Sequence, residues 1–189
     1  IPQGTNVIGV EFQDCGRDYR GANGVGETGN PGWTIDIEDG YQNHSNVVIE
    51  KCVFGDSKGG AIILKGSRNI ILHDNLFAYK TYPDFSNVSS ISLANGEKSK
   101  FYNNTVENWS LGLGRDDDVY NNSIYGSEVQ FSMENEVFRN HSIAYDVILS
   151  AVSVGAGSQG ATIKDNFFKY TKPLVNGSPI FAYTEGMIL

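Results

Sequence analysis

Thr34-Ile35-Asp36-Ile37-Glu38 is the stretch on which the fold turns, because its pattern comes back five more times. The copies are Ala61-Ile62-Ile63-Leu64-Lys65, Ser90-Ile91-Ser92-Leu93-Ala94, Ser110-Leu111-Gly112-Leu113-Gly114, Glu128-Val129-Gln130-Phe131-Ser132 and Asp146-Val147-Ile148-Leu149-Ser150. In each, the second and fourth residues are large and apolar, and the other three vary. Side chains alternate faces along a strand, so two positions of every copy face one buried side. Strands repeating in this way stack into a solenoid, with the variable positions in columns on one outer surface.

A second pattern interleaves with the first: apolar, two residues, Asn or Cys, one residue, usually apolar. It runs from Phe12 to Cys15, Ile49 to Cys52 to Phe54, Leu72 to Asn75 to Phe77, and Phe101 to Asn104 to Val106. It continues through Val119 to Asn122 to Ile124, Val137 to Asn140, and Ile163 to Asn166 to Phe168. The first and sixth copies depart from it, with Arg17 and Ser142 at the closing apolar position. The shortest step is eighteen residues, from 104 to 122 and from 122 to 140, about the least chain that closes a three-strand turn. Copies one coil apart sit ~4.8 Å apart, close enough for stacked amides to bond from rung to rung. Cys15 and Cys52 take the Asn position in the first two rungs, either as a disulfide or as two buried thiols.

The bulk numbers bound the function. The chain has 189 residues, enough for one domain with a sizeable core. Its net charge of -8 speaks against a nucleic-acid partner, which requires a basic face. No apolar run approaches the ~20 residues of a membrane span, so no membrane partner is expected. Two cysteines make no disulfide scaffold. Seven Asn-x-Ser/Thr sequons occur, and we read them as Asn-rich turn chemistry rather than glycosylation sites.

The interleaved repeats resemble the right-handed parallel β-helix of the pectate-lyase-like superfamily. The resemblance covers residues 7 to about 170 and implies three strands per coil, with an Asn ladder at the tight second turn. It carries the fold and leaves the reaction open. In the terms of that family the opening repeat is the first strand, Asn46-Val47-Val48-Ile49 belongs to the second, and Val53-Phe54 to the third. Thr5-Asn6-Val7-Ile8-Gly9-Val10 is already a second-strand segment, and Met187-Ile188-Leu189 carries no polar cap. The expectation is a single β-helix domain over 1–189 of about seven coils, as a fragment of a longer β-helix or capped by a partner. Residues 180–183 belong in this scheme to a last, irregular coil.

Long loops on a rigid scaffold are where sites are built. Three coils pass from ladder residue to next first strand in seven residues (104 to 111, 122 to 129, 140 to 147), but 15 to 35 and 75 to 91 are much longer. The outward columns read Asp36, Ile63, Ser92, Gly112, Gln130, Ile148, then Glu38, Lys65, Ala94, Gly114, Ser132, Ser150. A turn column follows with Asp39, Gly66, Asn95 and Arg115. Trp33, Tyr79, Tyr82, Phe85 and Trp109 are either flat platforms for sugar rings or seals that close loops against the coil. Lys65 and Arg115 are the basic residues of this floor.

Asp36 and Glu38 leave the same face of one strand, their backbones ~6.6 Å apart. Two carboxyls at that range suit the acid and base of a glycosidase, most naturally an inverting one, and mutual repulsion would hold one protonated. Asp39 is the third candidate. The plainer reading is that Lys65, one coil away, pairs with Glu38. Gly32-Trp33-Thr34-Ile35-Asp36-Ile37-Glu38-Asp39-Gly40, followed by Gly66-Ser67-Arg68-Asn69, resembles β-helix proteins of phage tails and prophages of Gram-positive bacteria. That resemblance implies binding or cleavage of surface polysaccharide or teichoic acid, usually by a homotrimer, outside the cell or on a virion tail.

Asp116-Asp117-Asp118 lies in a turn beside Arg115 and suits either Ca²⁺ or solvent, but lacks the spaced acidic pattern of a dedicated loop. His44, His73 and His141 show no metal-ligand spacing. The leading expectation is therefore a tailspike-like hydrolase of cell-surface or extracellular polysaccharide that needs no cofactor. A non-catalytic adhesin or tail shaft is the alternative. A Ca²⁺-dependent polysaccharide lyase is the third.

Overall fold

The computed structural model describes residues 4–13, 34–38, 46–55, 60–78, 90–126, 129–131, 133–145, 152–170 and 180–182. Within them the chain is all-β, with 21 strands and no helix. The strands form three sheets of seven, all pairs parallel. The first-strand sheet holds Ile35–Glu38, Ile62–Arg68, Ser90–Glu97, Ser110–Gly112, Val129–Phe131, Val152–Val154 and Ile180–Ala182. Next along the chain, the second-strand sheet holds Asn6–Ile8, Val48–Glu50, Ile71–His73, Lys100–Tyr102, Asp118–Tyr120, Val137–Arg139 and Thr162–Lys164. The third-strand sheet holds Glu11–Phe12, Val53–Phe54, Leu76–Ala78, Thr105–Glu107, Ser123–Tyr125, Ser142–Tyr145 and Phe167–Tyr170. Successive strands visit the sheets in rotation, so hydrogen-bonded neighbours are three strands apart in the chain. That is a solenoid with parallel rungs.

The apolar repeat sets the register. Ile35, Ile62, Ile91, Leu111 and Val129 are paired one above the other, and all five are buried. The second-strand sheet stacks Ile49, Leu72, Phe101, Val119, Phe138 and Ile163 in the same way. Aromatic rings climb the inside of the third-strand sheet, with Phe12 over Phe54 at 4.9 Å and Phe54 over Phe77 at 4.6 Å. One-residue slips would turn each stack outward, so the buried alternation fixes the pairing.

Left-handed residues recur at the corners between strands. Before the third strand they are Lys51, Asp74, Asn103, Asn121, Asn140 and Asp165, with φ between 55° and 58°. Each of the first five donates its N–H to a carbonyl of the next coil, from His73 O through Lys164 O. Asn and Asp tolerate this conformation, which explains why the corners are rich in them. Four of the seven sequon asparagines (Asn103, Asn108, Asn121 and Asn140) are such corner residues.

The residue after each left-handed corner turns inward. Asn75 Oδ1 accepts from Cys52 N at 2.9 Å, Asn104 Oδ1 from Asn75 N at 2.9 Å, and Asn122 Oδ1 from Asn104 N at 2.8 Å. Each amide also donates back to a strand carbonyl: Asn75 to Ile49 O, Asn104 to Leu72 O and Asn122 to Phe101 O. Two positions of this column differ from the sequence reading. Phe12 pairs with Phe54, so Val10, not Cys15, lies below Cys52. Phe12 is therefore the closing apolar residue of the motif and not its opening one. Cys52 is a free, buried thiol whose Sγ lies 3.3 Å from Glu50 O, and Cys15 lies outside the described residues. In the sixth rung His141, not Asn140, enters the column, which makes Phe138 and Ile143 the flanking apolar residues and removes the anomaly at Ser142. Asn140 is the exposed left-handed corner.

The sixth first-strand position also differs. Val152–Val154 pairs with Val129–Phe131, and 146–150 lie outside the described residues. Both segments carry the apolar spacing, so pattern alone does not separate them. Arc length does: a strand ending at Leu149 would leave a far longer path to Thr162 than the six residues from Phe131 to Val137. Ile180–Ala182 then adds a regular strand against Val152–Val154 where an irregular coil was expected.

Candidate functional site

The outer face of the first-strand sheet is the candidate. Its central column runs Asp36, Ile63, Ser92, Gly112, Gln130 and Ser153, each paired with the next. Ser153 stands where the sequence reading had Ile148. Ser92, Gly112 and Ser153 keep the middle and upper rungs low. A Cβ built on Gly112 meets only Ala94 Cβ at 3.9 Å, so the site there is open.

Asp36 and Glu38 take the alternate positions of Ile35–Glu38, whose other two residues, Ile35 and Ile37, are buried. Their register partners one coil on are Ile63 and Lys65. The backbone therefore brings Glu38 and Lys65 together, as the pairing alternative requires. A bulge intervenes at the next rung: Lys65 pairs with Asn95, not Ala94, and Arg68 with Glu97. The column read from sequence through Ala94 and Gly114 is thus broken. Gly114 is buried and donates its N–H to Asp117 Oδ2 at 2.7 Å. Asp39, Trp33, Tyr79, Tyr82 and Phe85 lie outside the described residues.

Trp109 belongs to the core and not to the platforms. It is wholly buried, and it is the largest fully buried side chain among the described residues. An indole of that size gains most by leaving water, and one inside the core offers no face to a ligand. Arg115 is half-exposed but engaged. Glu97 sits between Arg68 Nε at 3.1 Å and Arg115 Nη1 at 3.8 Å, and Arg115 Nε is 3.8 Å from Glu134. Arg68, Glu97, Arg115 and Glu134 alternate in sign over four coils, a ladder the sequence reading missed. The spacing of the first turns could have revealed it. Such exposed pairs contribute little each, so Arg115→Ala should cost roughly 0.2–1 kcal/mol in denaturant unfolding.

The three adjacent aspartates go three ways. Asp116 Oδ1 accepts from Asn135 Nδ2 at 3.0 Å, and Asp118 forms a two-pronged pair with Arg139 at 3.1 and 3.0 Å. Asp117 is fully buried, and its oxygens accept from Ser99 N at 2.8 Å and Gly114 N at 2.7 Å. Burial pushes its carboxyl up to about 7, against the pull of those two N–H groups, and the charges of Glu136 and Asp116 add to the rise. Asp117 is thus a turn clamp. Among the described residues no group of three His, Cys, Asp or Glu is placed to hold a metal.

A second outward column lies on the second-strand sheet. His73 stacks on Tyr102 at 4.9 Å, Tyr102 on Tyr120 at 4.8 Å, and the Arg139 guanidinium lies 4.3 Å over Tyr120. His73 Nε2 is 3.1 Å from Glu50 and Nδ1 is 2.8 Å from Asp74. The Asp74 carboxyl is held below its usual range, chiefly by that hydrogen bond from His73. The stacked rings cover one another's faces, so this column offers edges rather than sugar platforms. Among the described residues no helix is long and apolar enough to cross a membrane. Comparison with family models, with curated proteins and with solved structures gives no match to this chain.

Proposed function

We propose that this chain is a right-handed, single-stranded β-helix of about seven coils with an Asn ladder, akin to the pectate-lyase-like superfamily, and that it acts on an extracellular polysaccharide by hydrolysis. The hand follows from the rule for parallel crossovers. Asp36, Glu38 and Asp39 are the proposed carboxylates, with Lys65 beside them. Trp33 and the segment from Tyr79 to Phe85 are the proposed sugar contacts.

One observation supports the reading most. The register sets Asp36 and Glu38 on alternate positions of one strand, at the foot of a column that runs uncharged through Ile63, Ser92, Gly112, Gln130 and Ser153, with small residues at 92, 112 and 153. A carboxyl pair beside an open track suits an extended glycan lying along the axis.

A second reading has its own support: the exposed charges along the neighbouring edge, from Arg68 to Glu134, are paired with one another. A face so balanced suits a binder that holds glycan without cutting it.

Incubation with bacterial surface glycans separates the readings. New reducing ends without an unsaturated product mean hydrolysis, an unsaturated product means a lyase, and retention without product means a binder. Under hydrolysis, Asp36→Asn and Glu38→Gln should each slow product release by about 10²–10⁴-fold. Wild-type rates in both would remove the assignment. Gly112→Tyr, which has room for its Cβ, should fold normally and block retention in either of the first two readings.

A further inference from the structure

We propose that His141 makes one rung of the solenoid an acid-sensitive joint, closed only while its imidazole is neutral and protonated at Nε2. The argument starts from the roles of the two ring nitrogens. Nδ1 lies 3.1 Å from Asn122 N, an N–H that has no choice but to donate, so Nδ1 must accept. Nε2 lies 3.1 Å from Val119 O, a carbonyl that can only accept, so Nε2 must donate. One tautomer satisfies both.

The same two bonds are made by amides one coil below and one coil above. Asn122 accepts from Asn104 N and donates to Phe101 O. Asn166 accepts from His141 N at 2.9 Å and donates to Phe138 O at 3.2 Å. His141 therefore imitates an amide, with its ring against Phe138 at 3.7 Å. An amide cannot gain a proton in this pH range, and an imidazole can. A second proton would sit on Nδ1 and face the Asn122 N–H, donor against donor, with that buried N–H left without an acceptor.

Among the described residues no anion faces the ring to steady the cation. On the coil below, Asp118 and Tyr120 stand at the outward positions of the strand, and Asp118 is bonded to Arg139. On its own coil Arg139 adds positive charge, and on the coil above Lys164 and Asp165 are exposed. The buried carboxyls Asp117 and Glu136 precede the second strands, at the opposite end from the corner that holds His141. Burial, opposed by the hydrogen bond to Val119 O and helped by a smaller push from Arg139, takes the His141 pKa from 6.5 down to about 4. A group whose folded pKa is depressed in this way contributes fully above pH 6.5 and loses that contribution as pH falls to about 4. The folding equilibrium should lose roughly 300-fold across that window from this residue alone.

The test compares the wild type with His141→Asn, which installs the amide of the other rungs. Denaturant unfolding from pH 7 to pH 4 should give a signed slope of unfolding free energy against pH that is more positive in the wild type than in the variant by close to one proton. Asp117, whose raised pKa gives the opposite slope, is common to both and drops out of the comparison. Equal slopes would overturn the proposal. Nitrogen-detected NMR of the wild type at pH 6 gives an independent reading that needs no variant. It should find the Nε2–H tautomer with no titration down to pH 5, and a midpoint near 6.5 or an Nδ1–H tautomer would also overturn it.

Discussion

Trp109→Ala should cost the fold about 3–5 kcal/mol, the largest loss expected of any single truncation here. The indole is wholly buried within the solenoid core, alongside Val106, Leu111 and Leu113. Its removal takes away transfer free energy and leaves a cavity that rigid rungs above and below cannot fill. The measurement is a denaturant midpoint, with glycan retention of the folded fraction scored beside it. A sharp fall in midpoint with retention unchanged is the outcome expected of a core residue. A stable variant that no longer holds glycan would return Trp109 to the platforms.

Asn104→Ala should come next, at about 3–4 kcal/mol. The amide of Asn104 accepts from Asn75 N and from Asn75 Nδ2, and donates to Leu72 O at 3.0 Å and Asn122 Oδ1 at 3.2 Å. Alanine leaves a buried backbone donor and a buried backbone acceptor unmatched, and each costs about 1–3 kcal/mol. Asn104→Asp tests the cause, because it keeps the acceptor, loses the donor and adds a buried charge. It should be no better than alanine at neutral pH and recover in part in acid. Equal stability of Asn104→Ala and wild type would mean that the amide column contributes nothing beyond shape.

The legible and illegible parts of this chain divide along physical lines. Ile35, Ile62, Ile91, Leu111 and Val129 could be aligned by eye because burial on one face imposes a period of two wherever the strand falls. The inward residue at 52, 75, 104, 122 and 166 was legible for the same reason, since an amide closed in by apolar neighbours is conspicuous. His141 was missed because the reading sought Asn, and Asn140 stood beside it. The position asks for one donor and one acceptor, and a neutral imidazole supplies both. Val10 was missed because the reading sought Asn or Cys at that position, and Cys15 stood three residues beyond Phe12. Trp109 could not be placed from its residue type, since aromatic rings serve cores and sugar sites alike.

The chain's own order of residues determined the strand period, the number of apolar stripes and the Asn-rich corners, because these follow from local alternation and local backbone strain. Only the tertiary structure decided which residues stand above one another. Register after each arc depends on arc length and on corner geometry, which no local pattern encodes. That is why Val152–Val154 displaced Asp146–Ser150, why a bulge moved Lys65 opposite Asn95, and why Asp117 turned inward to clamp backbone N–H groups while its two neighbours turned to Asn135 and Arg139.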